Sequence, residues 1–123
     1  MIPQGPMPPV IRRLLTAMNE HDLEGFLDCY DPGYVSEQPL HPDAGFRGTD
    51  RIRENWSWKL RDGSDFSAEV VAFAVDGDTV WTEWRWNGTR KDGSVLDDRG
   101  VVVYGVGGDR ITSARLYIEP FTG

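Results

Sequence analysis

Chemistry has few places to start in this chain, which offers two histidines, His21 and His41, and a lone thiol, Cys29. His21 stands in the short polar break Asn19–Asp22, a position that reads as surface or capping. His41 sits between prolines in PLHP, a loop placement suited to a substrate contact or to plain exposure. Cys29 is embedded in FLDCY with no adjacent Lys, Arg or His to stabilise a thiolate, so it reads as a small core residue. Two distant histidines, with no His, Asp or Cys spacing suited to coordination, predict no metal site.

The richest polar pattern lies at the end of the chain, where Arg115, Tyr117 and Glu119 alternate with Ala114, Leu116 and Ile118. A period of two gives each set its own face of a strand. Pattern alone puts the aliphatic set in the core and the polar set in water. Turned the other way, Arg115 and Glu119 would each need a partner or a ligand, because a lone buried charge costs on the order of several kcal/mol. Trp56, Trp58, Trp84 and Trp86 add flat apolar surfaces that either fill a core or wall a cavity.

These residues need elements to hold them. Thr79–Arg90, TVWTEWRWNGTR, sets Val80, Thr82, Trp84 and Trp86 against Trp81, Glu83 and Arg85, the period of a strand with two unlike faces. It pairs across the Asp-Gly turn Asp76–Asp78 with a strand at Phe66–Val75, and a second hairpin joins Val95–Val106 to Arg110–Glu119. Ahead of the strands, Val10, Ile11, Leu14, Leu15 and Met18 fall on one face of a helix of about three turns. Asp22 caps a second helix, Leu23–Tyr30, and Thr49 or Asp50 a third, Arg51–Leu60, with Ile52, Trp56 and Leu60 as its stripe. Asp31–Gly33 reads as a turn, Tyr34–Ser36 as a short extended piece, and Glu37–Gly48 as a loop. Met1–Pro9 carries four prolines and reads as an extended arm, leaving one domain over 10–123. Helices first and a strand meander after them predict an α+β fold with helices on one face of a curved antiparallel sheet.

A formal charge of −7 without a basic stripe argues against nucleic acid or an anionic membrane as partner. The chain shows neither a signal peptide nor a long apolar span, which gives a cytoplasmic location by default.

The strings NEHDLEGFLDCYDPGYV, FRGTDRIRENW, VDGDTVWTEWRWNGTRKDG and GGDRITSARLYIEP, in this order, resemble the SnoaL-like group of the nuclear transport factor 2-like superfamily. The resemblance covers nearly the whole chain after the arm. It implies a cone formed by a bent sheet and three helices around a deep pocket, and a homodimer packed through the outer sheet face. In the ketosteroid isomerase branch a proton-abstracting Asp precedes a proline; here SEQP places Gln38 there, and Val102 stands where that branch has a second acid. The polyketide cyclase branch has a His in a GTHxG-like string and an Asp on the last strand; here GTRKDG gives Arg90 and LYIEP gives Glu119.

The resemblance therefore turns the last strand around, with Glu119, Tyr117 and Arg115 facing the pocket and Ala114, Leu116 and Ile118 meeting a second copy. Two function classes fit. The first is acid/base chemistry without a cofactor on a small hydrophobic or aromatic molecule. Glu119 would transfer the proton, Tyr117 and Gln38 would orient the substrate, and Arg115 or Arg90 would hold an anionic group. Tyr34, His41, Trp56 and Trp84 would be further substrate contacts. The second class is a ligand-binding or protein-assembly module that performs no catalysis.

Overall fold

The computed structural model describes residues 6–121. Its elements run α1 (Pro9–Asn19), α2 (Leu23–Asp28), β1 (Tyr30–Glu37), a 3-10 turn (Pro42–Ala44), β2 (Phe46–Arg47), α3 (Asp50–Trp56), β3 (Ser67–Asp76), β4 (Thr79–Thr89), β5 (Val95–Gly107) and β6 (Arg110–Pro120). This is the expected α+β architecture, with three helices on a curved, unclosed six-stranded sheet of order β2-β1-β6-β5-β4-β3. Parallel pairing of β1 with β6 carries the N-terminal half into the sheet; the other ladders are antiparallel. Of the proline arm expected over 1–9, residues 1–5 lie outside the described residues, and Pro9 already opens α1, where its missing N–H is not needed.

Each helix forms for a local reason. In α1 the residues Val10, Ile11, Leu14, Ala17 and Met18 recur on one buried face. The Asp22 carboxylate accepts the Gly25 N–H at 3.0 Å, which caps α2. Helix α3 is shorter than the expected Arg51–Leu60 and ends at Trp56, yet the following turn still buries Leu60 beside Ile52. The segment expected as the turn Asp31–Gly33 is instead part of β1, with an irregular register between Tyr30 and Val35.

Strand register decides which residues meet. Thr82 stands opposite Val102 and Val102 opposite Leu116; Trp84 stands opposite Gly100 and Gly100 opposite Ile118. Buried Val80, Thr82, Trp84 and Trp86 share this inner face with Val102, Tyr104 and Ala114. The outer rows are Glu83–Val101–Tyr117, Trp81–Val103–Arg115 and Arg85–Arg99–Glu119. The aliphatic residues of β6 thus point under the helices, and Arg115, Tyr117 and Glu119 point away from them. This corrects the orientation that the resemblance implied, and the cause is packing. Leu116 and Ile118 continue the apolar rows of β4 and β5, which a one-residue slip would expel into water.

Gly100 lets β5 and β6 approach closely. Its φ is 150°, and a Cβ there would overlap the Tyr117 carbonyl oxygen, so β5 and β6 close on each other only without a side chain.

Candidate functional site

The concave side of the sheet holds two connected spaces. Deep in the cone is a cavity of about 60 Å³, lined among others by Phe26, Tyr30, Tyr34, Ser36, Trp86 and Tyr104. It is small because aromatic rings fill the cone in contact, with centroids 4.7 Å apart for Phe26 and Trp56, 5.0 Å for Trp56 and Trp86, and 4.8 Å for Tyr30 and Tyr34. Gln38, Asn55, Trp56, Trp86 and Leu116 border both this cavity and an open cleft of about 420 Å³. The cleft adds Trp58, Lys59, Lys91, Asp98 and Ile118. Its volume suits a small organic ligand; that of the deep cavity suits roughly two water molecules. A separate groove of about 480 Å³ lies between α1 and α2, away from the cone, lined by residues such as Arg12, Arg13, Glu20 and Asp28.

Two charged groups meet the aromatic wall of the cleft. The Lys59 Nζ lies 4.2 Å from the Trp56 ring centre, 5.4 Å from that of Trp58 and 5.7 Å from that of Trp86. Ring faces favour an ammonium by about 0.5–2 kcal/mol, at most roughly one and a half factors of ten in protonation equilibrium. Burial opposes this more strongly and lowers the Lys59 pKa to about 8, with Asp98 pulling it up and Arg90 down. Asp98 stands opposite Trp86 in the β4–β5 ladder. Burial raises its carboxyl above the usual range, and the cations Lys59 and Arg90 partly offset this. The Arg90 Nη2 lies 3.5 Å from the Asp98 Oδ1 while its Nη1 donates to the Val95 carbonyl, so Arg90 is held at the cleft by two partners. Among the described residues the Trp86 Nε1 is the one buried side-chain polar atom without a hydrogen-bond partner.

The residues expected at the site divide into two groups. Tyr34 and Trp56 line the cone, Gln38 borders both spaces, and Arg90 reaches the cleft through Asp98. Burial pushes the Tyr34 hydroxyl up to about 12, which makes it a hydrogen-bond donor rather than a base. Trp84 lies fully buried in the packing, its Nε1 donating to the Thr82 Oγ1 at 2.7 Å, and it walls neither space.

Glu119, Tyr117, Arg115 and His41 are placed elsewhere. The His41 Nε2 meets the Glu119 Oε1 at 2.6 Å, with side chains 59% and 47% exposed. Arg115 lies on the outer face, its Nε 4.0 Å from the Glu37 Oε2 and its guanidinium 5.9 Å from the Tyr117 ring centre. Glu119 therefore has solvent and a histidine around it, not the aromatic enclosure of the cone.

Lys59 and Asn55 were missed by the sequence reading, which offered one charge of Asp97–Asp98–Arg99 to the pocket mouth without fixing the face that each takes; a signal for Asp98 existed. Counting outward from the turn at Lys91–Gly93 sets Thr89 against Val95 and hence Trp86 against Asp98, on the inner face that the tryptophans define. His21 is structural. At a φ of 56° it donates from Nε2 to the Phe66 carbonyl at 2.8 Å, tying the α1–α2 connection to the chain entering β3. Cys29 is buried in the core, with its Sγ on the Gly25 carbonyl. Among the described residues no three His, Cys, Asp or Glu side chains gather as a metal site would require, and no helix is long and apolar enough to cross a membrane.

The same architecture recurs among solved structures of low sequence identity. A SnoaL-like protein of unknown function from Burkholderia thailandensis superposes with a TM-score of 0.66 at 24% identity, covering 88% of this chain and 89% of its own. An LEH-like epoxide hydrolase of Mycobacterium tuberculosis gives 0.72 at 19% identity, covering 89% and 80%. A further M. tuberculosis protein, solved in complex with estradiol-17beta-hemisuccinate, gives 0.71 at 18% identity, covering 88% and 89%. No curated protein matches this chain by sequence. At these identities the likeness speaks for the fold alone, but the family model of the SnoaL-like domain matches residues 11–114, from α1 through the inner-face Ala114 of β6, and the chain belongs to that family.

Proposed function

We propose that this protein binds a small, flat, mostly apolar molecule bearing a carbonyl or acidic oxygen in the cleft at the mouth of the cone, and moves a proton on it without a cofactor. The observation that carries this reading is Asp98. It is a half-buried carboxylate with a raised pKa, in the same cleft as the stacked Trp56 and Trp86 and beside Lys59 and Arg90. Environment tunes such a carboxyl for proton transfer. Lys59 supplies the positive group that favours developing charge on a ligand oxygen, and Gln38 and Asn55 offer orienting hydrogen bonds. Asp98 thereby takes the part that the sequence reading gave to Glu119. The M. tuberculosis protein solved with a steroid hemisuccinate is a precedent within this fold for a flat ligand with an acidic tail.

A thermal-shift panel of aromatic acids, steroids and polyketide fragments tests the reading, because a specific ligand stabilises the native state by mass action. A hit whose effect vanishes in Asp98→Asn or Trp56→Leu supports the cleft. A hit insensitive to both would move the site elsewhere.

The outer sheet face favours a homodimer, the assembly that the second function class would also use. Trp81 is 50% exposed there, and Val103 and Tyr117 share its face. These residues replace the Ala114, Leu116 and Ile118 stripe as the apolar contact. Sedimentation of Trp81→Glu against the parent chain tests it: a shift from dimer to monomer is expected, and identical sedimentation removes this face from assembly.

A further inference from the structure

We propose that Lys59 captures aldehyde or ketone ligands covalently, as an imine formed at the mouth of the cone. The proposal rests on the preceding reading for the ligand's carbonyl and goes beyond it in giving Lys59 a bond-forming role.

The geometry is that of an amine held in place and kept from neutralisation by a carboxylate. Three indole rings surround Nζ at 4.2, 5.4 and 5.7 Å, and they also form the wall on which a flat ligand would stack. Among the described residues no Asp or Glu oxygen lies within ion-pair distance of it. Asp98, in the same cleft, is tied to Arg90 at 3.5 Å. Burial brings the amine's pKa to about 8, so a useful share of it is neutral under mildly alkaline conditions.

The step balances without an oxidant or reductant. The nitrogen lone pair of the neutral amine attacks the carbonyl carbon, the C–N bond forms as the C=O π bond breaks, and one of the nitrogen's two protons passes to the oxygen to give a carbinolamine. Water delivers a second proton to that hydroxyl. The hydroxyl leaves as water while the nitrogen's proton departs and the C=N bond closes.

The chain carries its own control, since Lys59 and Lys91 are its two lysines and both border the cleft. Native protein is incubated with 2-naphthaldehyde and sodium cyanoborohydride, which reduces an imine to a stable secondary amine. The modified residue is then located by peptide mass spectrometry. Labelling of Lys59 is expected to exceed that of Lys91 by roughly tenfold or more, with its rate rising through a midpoint near pH 8. The preference should disappear in denaturing urea and persist in Lys91→Arg. Equal labelling of the two lysines in native protein, or a Lys59 rate that rises only in the range of an ordinary lysine, overturns the proposal. Such a result leaves the thermal-shift panel untouched, whereas a panel without hits alongside selective Lys59 labelling would sink the ligand reading and keep the reactive amine.

Discussion

Asp98 and Trp86 face each other on one rung of the β4–β5 ladder, so a carboxylate of raised pKa and an indole whose buried N–H has no partner belong to the wall of one cleft. Both groups carry a cost within the protein itself, roughly 1–3 kcal/mol for an unpaired buried donor. Such costs are tolerated where a ligand later supplies the missing interaction.

Asp98→Asn is expected to lower turnover of any substrate found by the ligand panel by about 10²–10⁴-fold. Stability should move the other way. The folded-state pKa of Asp98 is raised, so above the ordinary carboxylate range the folded chain binds more protons than the unfolded one, and stability falls as pH rises through that window. Asparagine removes this dependence. Thermal melts of both chains across acid to neutral pH check it, and a variant that melts lower at neutral pH contradicts it.

Lys59→Met is expected to stabilise the fold at neutral pH by about 1–3 kcal/mol. The folded-state pKa of about 8 lies below the ordinary lysine value of 10.5, so between these values the unfolded chain holds more protons and parent stability rises with pH. The advantage of the methionine variant should therefore shrink over that interval. Urea titrations at neutral and alkaline pH measure it; a gap that stays constant would mean that Lys59 titrates normally.

Gly100→Ala should cost roughly 2–4 kcal/mol, because the added carbon meets the Tyr117 carbonyl at a φ of 150° that alanine rarely adopts. Chemical denaturation reads the loss. A change below about 0.5 kcal/mol would show that β5 and β6 can separate there without consequence.

Glu119→Gln should leave ligand binding intact and lower turnover by less than about tenfold, since the carboxylate lies outside the cone against His41 and acts on Asp98 only through its charge. In a double-mutant cycle with His41→Ala, the coupling of this exposed pair should be below about 1 kcal/mol. Abolished turnover in Glu119→Gln with an intact fold would return this residue to the mechanism.

The fold was legible in the sequence where period and punctuation agreed. The alternation through Trp84 and Trp86, the Asp-Gly turn at Asp76–Asp78 and the Asp22 cap each specify their element locally, and all three stand as expected. What failed was the face of β6. Its alternation is equally regular in either orientation; pattern alone favoured Leu116 and Ile118 inside, and analogy with a catalytic acid outweighed it. Register across three strands decides such a case, and register is a property of the assembled sheet. Lys59 was invisible for a related reason. It lies past the end of α3, where helical spacing no longer applies, and the Trp86 ring and Asp98 carboxyl that complete its surroundings come from β4 and β5.

That both lysines border one opening has a practical consequence for work at the bench. Dyes, biotin esters and sensor chips that couple through lysine amines would land on the ligand's entrance, so a conjugate attached at either lysine would be obstructed by its own label. Maleimide chemistry offers no escape, since Cys29 is buried.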